Sequence, residues 1–465
     1  MADHRDVEHQ GGVRPSTMQS ALLAIGTVIA ASILLAGPVT AQQPPGEVSC
    51  GSKGSAASVE AAIADCTAAI ESGKLPSRSL PLAYNNRGIA YADKGDLDHA
   101  LSDYGTAIRL DPKLAIAYCN RGLVYANKGD LDRAIADFGD AVRLDPNFAL
   151  AFTARGNAYF DKRDYERSLA DYSEAIRVDS RLAIAYHNRG LVYRERREAD
   201  RAIADYSEAI RLDPMYRDAF HNRGLAYRGK GDLEQALADY SEAIRLDPNF
   251  AVALGSRASI FDEKRDYVGA LADLDRALAI QPDHAANRNL RGHVYYATGD
   301  FDRAFADLTE AVRLDPESAA ALTNRGFVFE SKGDYARAVL DFEEASRLAP
   351  GDALVWNSRC WAQAVVGQNL QQALADCNES LRLAPDVADT LDSRAFVYLK
   401  LGELDKSFAD YNDALRLNPK LISSLYGRGI AKMRKGESSS ANADIAAAKA
   451  LRPTVAEEFA VYGIR

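Results

Sequence analysis

The sequence lacks most of what a catalytic or nucleic-acid-binding domain needs. Its 465 residues contain no P-loop, no dinucleotide-binding glycine loop, no HExxH and no GxSxG. The usual phosphate, nicotinamide, zinc-hydrolase and serine-hydrolase signatures are therefore missing. Basic residues are in the minority: 56 Lys and Arg against 66 Asp and Glu leave a net charge of −10. No basic run is interleaved with aromatics, which argues against a nucleic-acid surface. Histidines number only seven. His187 and His221 share a position in successive segments, but two histidines without a third ligand make a poor metal site, and both read as solvent-facing. No metal and no cofactor are expected. Disorder is also disfavoured, because 47% apolar and 26% charged residues is an ordinary globular balance.

Long apolar runs are scarce too. Residues 21–37 (ALLAIGTVIAASILLAG) form one, broken by Gly37-Pro38 and followed by the small residues Val39-Thr40-Ala41. It is shorter than the roughly 20 residues that span a bilayer. It reads as a signal peptide over residues 1–41, cleaved before Gln42. Arg5 and Arg14 are offset by Asp3, Asp6 and Glu8, so an uncleaved anchor on the inner membrane is the alternative. Export to the periplasm or beyond would suit the five cysteines. Two local pairs, Cys50–Cys66 and Cys360–Cys377, would leave Cys119 over. Five unpaired, buried thiols are the competing arithmetic.

What the sequence has in abundance is periodicity. Counted every 34 residues, one column holds Arg87, Arg121, Arg155, Arg189, Arg223, Arg257, Arg291, Arg325 and Arg359; after a one-residue insertion it continues with Arg394 and Arg428. A second column holds Asp103, Asp137, Asp171, Asp205, Asp239, Asp273, Asp307, Asp341, Asp376, Asp410 and Asp444. Apolar residues recur at helical spacing over residues 115–127 and again over 131–144, with Lys128-Gly129-Asp130 turning the chain between them. Asp145-Pro146 then reads as an N-cap and first helical residue. A repeat that fills most of the chain predicts an elongated stack, with no sequence left over for a catalytic domain.

The unit resembles the tetratricopeptide repeat, a 34-residue helix-turn-helix. Tyr84, Gly88, Tyr91, Ala100, Tyr104, Ala107 and Pro112 stand at the family positions in the first unit; Phe220, Gly224, Tyr227, Ala236, Tyr240, Ala243 and Pro248 do so in the fifth. The resemblance implies an all-α fold: a right-handed superhelical α-solenoid of eleven units over residues 81–455. A degenerate repeat helix within residues 42–80 would cap one end. Residues 456–465 would cap the other as a helix in register with a twelfth unit. Departures are few. Arg replaces the family's Leu before the glycine in every unit, and Ala258, Cys360 and Ala395 replace the glycine in units six, nine and ten. Unit seven has Arg288 where an aromatic is usual, so units six and seven are expected to pack most loosely.

Within that frame the Arg and Asp columns, as in Arg87 with Asp103, Arg121 with Asp137 and Arg223 with Asp239, read as ion pairs between helices. They read as structural rather than as sites. The resemblance places Asn86, Asn120, Asn188, Asn222 and Asn324 toward a concave groove. There an amide ladder can hold the backbone of an extended peptide, an amide offering both donor and acceptor. Caps on local backbone are the alternative. The neighbouring slots Asn85, Cys119, Thr153, His187 and His221 contain no lysine, so the family's chaperone-tail clamp is not implied. Phe327, Trp361 and Phe396, with Tyr426 nearby, form an aromatic column in the last units, either a peptide anchor or inter-unit packing. The resulting expectation is a non-enzymatic scaffold of the periplasm or cell envelope, binding protein or extended peptide in its groove. It would meet a membrane only if the leader is retained. A membrane-anchored assembly factor acting through its surface or ends is the alternative.

Overall fold

The computed structural model describes residues 58–464. The expected signal segment and Cys50 lie outside them. The described residues form 24 helices and no strand. A first helix, Val59–Glu71, precedes eleven helix pairs, and a short helix, Val455–Val461, follows them. In each pair we term the first helix A and the second B. In the second pair they are Ala115–Asn127 and Leu131–Leu144, the two segments expected from periodicity. The chain divides into two compact units: repeats 1–5 lie in the one ending at Leu246, and repeats 6–11 in the one starting at Asp247.

The turn between A and B contains the cap. Asp96, Asp130, Asp164, Asp266, Asp300 and Asp334 each accept a hydrogen bond from the backbone N–H three residues on, satisfying an orphan donor of helix B. The Asp145-Pro146 expectation is corrected here. Helix A of the third repeat starts at Ala149, three residues after Pro146. Asp145 instead closes helix B with an extended backbone, and its carboxylate accepts from Asn147 N at 3.0 Å. That Asx turn competes with helix formation, so the helix waits.

A and B pack through a glycine and a ring. A Cβ on Gly88 would lie 2.7 Å from the Tyr104 ring, and the same crowding recurs at Gly122 with Phe138 and Gly156 with Tyr172. In repeat 9 both partners of this lock are replaced. Cys360 takes the glycine slot and Cys377 the ring slot, and they form a disulfide with Cα atoms 5.4 Å apart. Repeats 6 and 7, expected to pack most loosely, are indeed the most sparsely joined neighbours, between helix B of repeat 6 and helix A of repeat 7, although the cores within them are closed. Ala258, Leu274 and Leu308 are fully buried. Arg288 in repeat 7 makes up for its missing ring by bonding Pro282 O at 2.9 Å and Asp307 at 3.3 Å.

Candidate functional site

All eleven arginines meet their own repeat's aspartate through two hydrogen bonds, Nε to one carboxylate oxygen and Nη2 to the other. In Arg87–Asp103 the distances are 2.7 and 2.8 Å, in Arg121–Asp137 both are 2.8 Å, and in Arg223–Asp239 they are 2.8 and 2.7 Å. In several repeats arginine's remaining nitrogen reaches back to helix B of the repeat before. Arg189 bonds Ser173, Arg223 bonds Ser207, Arg291 bonds Asp275 and Arg428 bonds Asn412. One guanidinium therefore clips three helices. The fork geometry that allows this is specific to arginine. With both ends engaged, these arginines are fasteners.

The expected amide ladder exists, but it is closed. Asn120, Asn188 and Asn222 are buried. Asn120 donates to Asn85 at 3.0 Å, and Asn188 donates to Asn157 at 2.9 Å. Asn222 donates to His187 Nε2 at 3.0 Å, while its oxygen accepts from Arg194 at 2.7 Å. Asn324 is half-buried and donates to Asn289 at 2.9 Å; half-buried Asn86 accepts weakly from Asn85 at 3.4 Å. Four of the five amides expected to read a peptide backbone thus bond the preceding repeat instead. Adjacent A helices stack closely enough for their short polar side chains to meet, and a buried polar group takes the nearest partner.

His187 and His221 are corrected with them. They are 1% and 7% exposed rather than facing solvent. His187 has one ring nitrogen accepting from Asn222, so the other, Nδ1, carries the proton and donates to Asn188 at 3.1 Å. Burial holds the His187 pKa down to about 4 and that of His221 to about 3. Neither His187 nitrogen is left for a metal. The slots Asn85, Cys119 and Thr153 are buried too, so this whole column packs between repeats. Burial raises the Cys119 thiol to about 12, which makes it a quiet thiol. Asn157 and Arg194 complete the network, and Tyr172 donates to Asn157 at 2.5 Å.

In the second unit the A helices present rings. Phe327 and Trp361 are half-buried, and Phe396 and Tyr426 are buried. Three of the four are covered by the C-terminal segment. Phe459 packs against Tyr426 at 4.7 Å between ring centroids and against Phe396 at 5.8 Å. Tyr462 stands edge-on to Trp361 at 5.4 Å and to Tyr335 at 6.2 Å. The terminal helix lies against repeat 11, and through Tyr462 the segment also reaches back across the A helices of repeats 9 and 10 to Tyr335, at the start of helix B of repeat 8. Phe327 packs on Phe342 and Tyr296 instead. Beside this wall lies Glu330, which sequence reasoning did not single out. One of its oxygens is buried with no hydrogen-bond partner. Desolvation raises its pKa to about 8.

The disulfide Cys360–Cys377 is present. Its expected companion, Cys50–Cys66, lies outside the described residues on the Cys50 side; Cys66 itself is buried. Among the described residues no group of His, Cys, Asp or Glu could hold a metal ion, and no helix is long and apolar enough to cross a membrane.

Comparison with known proteins agrees with this architecture. Family models described as TPR repeat match residues 88–129, 156–196 and 190–231. Models described as tetratricopeptide repeat match residues 115–148, 218–250, 289–353 and 388–421. Together these matches span more than half of the chain, and the chain belongs to the tetratricopeptide repeat family. No curated protein matches it. Among solved structures, MamA is 30% identical, covering 36% of this chain and 96% of its own at a TM-score of 0.33. PilF of Pseudomonas aeruginosa is 24% identical, covering 47% and 97% at 0.43. YrrB, described as a TPR protein with an unusual peptide-binding site, is 26% identical, covering 41% and 95% at 0.34. The fold is that of a protein–protein interaction scaffold.

Proposed function

We propose that this tetratricopeptide repeat protein is an exported, non-enzymatic scaffold of the periplasm or cell envelope, holding protein or peptide partners on the face formed by its A helices. One observation carries the reading. In repeats 9–11 that face already holds a polypeptide segment, the chain's own residues 455–464, through aromatic contacts. A surface that accommodates one short apolar segment has the shape and chemistry to accommodate another. The uniform Arg–Asp fasteners are spent on holding helices together, which leaves the variable A-helix positions for recognition. The disulfide favours an oxidising compartment, and the leader at residues 1–41 is read as the route there.

A photo-crosslinking residue placed at Phe327 in cells tests the binding face, with Val268 as the control because it is 82% exposed on helix B. Adducts with one or a few proteins at Phe327 and none at Val268 are expected. Adducts only at Val268 would overturn the assignment. Fractionation with N-terminal sequencing tests export: a mature start at Gln42 in the soluble envelope fraction is expected, and an intact chain in the membrane would favour the anchored assembly factor.

A further inference from the structure

The C-terminal segment is bound like a ligand. Val455, Phe459, Tyr462 and Ile464 are buried, whereas Glu457, Ala460 and Val461 face outward, Val461 at 78% exposure. The helix Val455–Val461 has seven residues, far below the length at which a helix is stable alone. Its order comes from docking. The polar side-chain contacts of Glu458 are local: it accepts from Arg452 at 3.2 Å and from Thr454 at 2.9 Å. What holds the segment to repeats 8–10 is ring packing, Phe459 and Tyr462 against Trp361, Phe396 and Tyr335. Each such aromatic pair contributes modestly. Among the described helices the segment's is the one most lightly joined to its neighbours, although Val455, Phe459, Tyr462 and Ile464 all enter the hydrophobic cluster of repeats 9–11.

We propose that the A-helix face of repeats 9–11, edged by Tyr335 of repeat 8, is a docking site for a short apolar helix that presents two aromatic side chains three residues apart followed by a β-branched residue, and that residues 455–464 are its built-in occupant, displaced by a partner segment of the same chemistry. The pattern is read from the occupant: Phe459 and Tyr462 fill the aromatic wall, and Ile464, 4% exposed, follows them. The proposal deepens the scaffold reading and rests on it, but the two fail separately. An integral, non-exchanging tail would leave Phe327 crosslinks intact.

The test uses a fluorescein-labelled peptide of residues 454–465, TVAEEFAVYGIR. It is titrated by anisotropy against the full chain and against the full chain carrying Phe459→Ala and Tyr462→Ala. The peptide is expected to bind the substituted chain at least tenfold more tightly than the unsubstituted one, and a peptide with the same two alanines is expected not to bind. No binding to the substituted chain, with its helical circular dichroism retained, overturns the proposal; so does equal binding to both chains. A second measurement covers the case in which the substitutions unfold the last repeats. Hydrogen exchange on the unsubstituted chain should show amides of residues 456–464 opening at least a hundredfold faster than those of residues 441–448. Equal rates would make the tail a fixed cap and overturn the docking site.

Discussion

The two compact units use one fastener and two different linings. Arg121–Asp137 in the first and Arg325–Asp341 in the second are nearly superimposable in their hydrogen bonds. The A-helix positions beside them diverge. In the first unit they hold a buried polar relay: Asn188, and Tyr172 from helix B, donate to Asn157, His187 donates to Asn188, and Asn222 bonds both His187 and Arg194. In the second they hold the ring wall of Trp361, Phe396 and Tyr426, covered by the chain's own tail. A polar relay fixes the spacing of adjacent repeats because each bonded group has one geometry that works, even though Asn157 Nδ2 is buried without a partner. A ring wall is less directional, and it accepts an exchangeable occupant. The difference assigns rigidity to one lining and recognition to the other.

Breaking the shared fastener should have the largest effect. Asp376→Ala would strand Arg359, which is only 9% exposed, and should cost ~3 kcal/mol. Asp137→Ala strands the more exposed Arg121 and should cost less, ~2 kcal/mol. Denaturant melts of the two variants compare them, and a larger loss at Asp137 would contradict the burial argument. Reduction of Cys360–Cys377 should come next, lowering the stability of the second unit by ~3 kcal/mol for a loop of this size. The first unit should be untouched, as hydrogen exchange with and without reductant would show. The double variant Cys360→Gly, Cys377→Phe restores the lock of repeats 2 and 8 and should make stability independent of reductant.

Glu330→Gln isolates the wall. The folded pKa lies above the unfolded one, so the native carboxyl is comfortable while neutral, and its contribution is lost as pH rises toward about 8. The variant should therefore be more stable than the parent by ~2 kcal/mol at pH 8 and equal to it near pH 4. A constant difference across that range would mean the carboxyl is solvated. His187 probes the relay with the opposite sign. Its folded pKa, about 4, lies below the unfolded one, so its contribution is present above pH 6.5 and fades on acidification. At pH 5.5 the loss should be ~1 kcal/mol. A melt of His187→Gln should lack that acid step, and an unchanged pH profile would remove His187 from the relay.

Most of the frame was legible because it is periodic. The A and B helices of the second repeat fall on residues 115–127 and 131–144, as helical spacing predicts. The Arg and Asp columns could be paired because a helix-turn-helix brings residues 16 apart face to face. Cys360 and Cys377 were readable as a pair because they occupy slots that touch in every other repeat. Burial of the asparagines and of His187 was not legible. Nothing in a 34-residue pattern says how closely one A helix lies against the next, and that distance decides whether an amide meets water or a neighbour. Nor could register show that the C-terminal segment reaches back to repeat 8, since that depends on contacts between residues such as Tyr335 and Tyr462, far apart in sequence.

The sequence by itself determined the family, the repeat unit and its fasteners, because those are local interactions that recur with fixed spacing. Only the tertiary structure decided which side chains remain available. Availability depends on what packs against each face, and the asparagines and the aromatic wall were claimed by neighbours that no local pattern specifies.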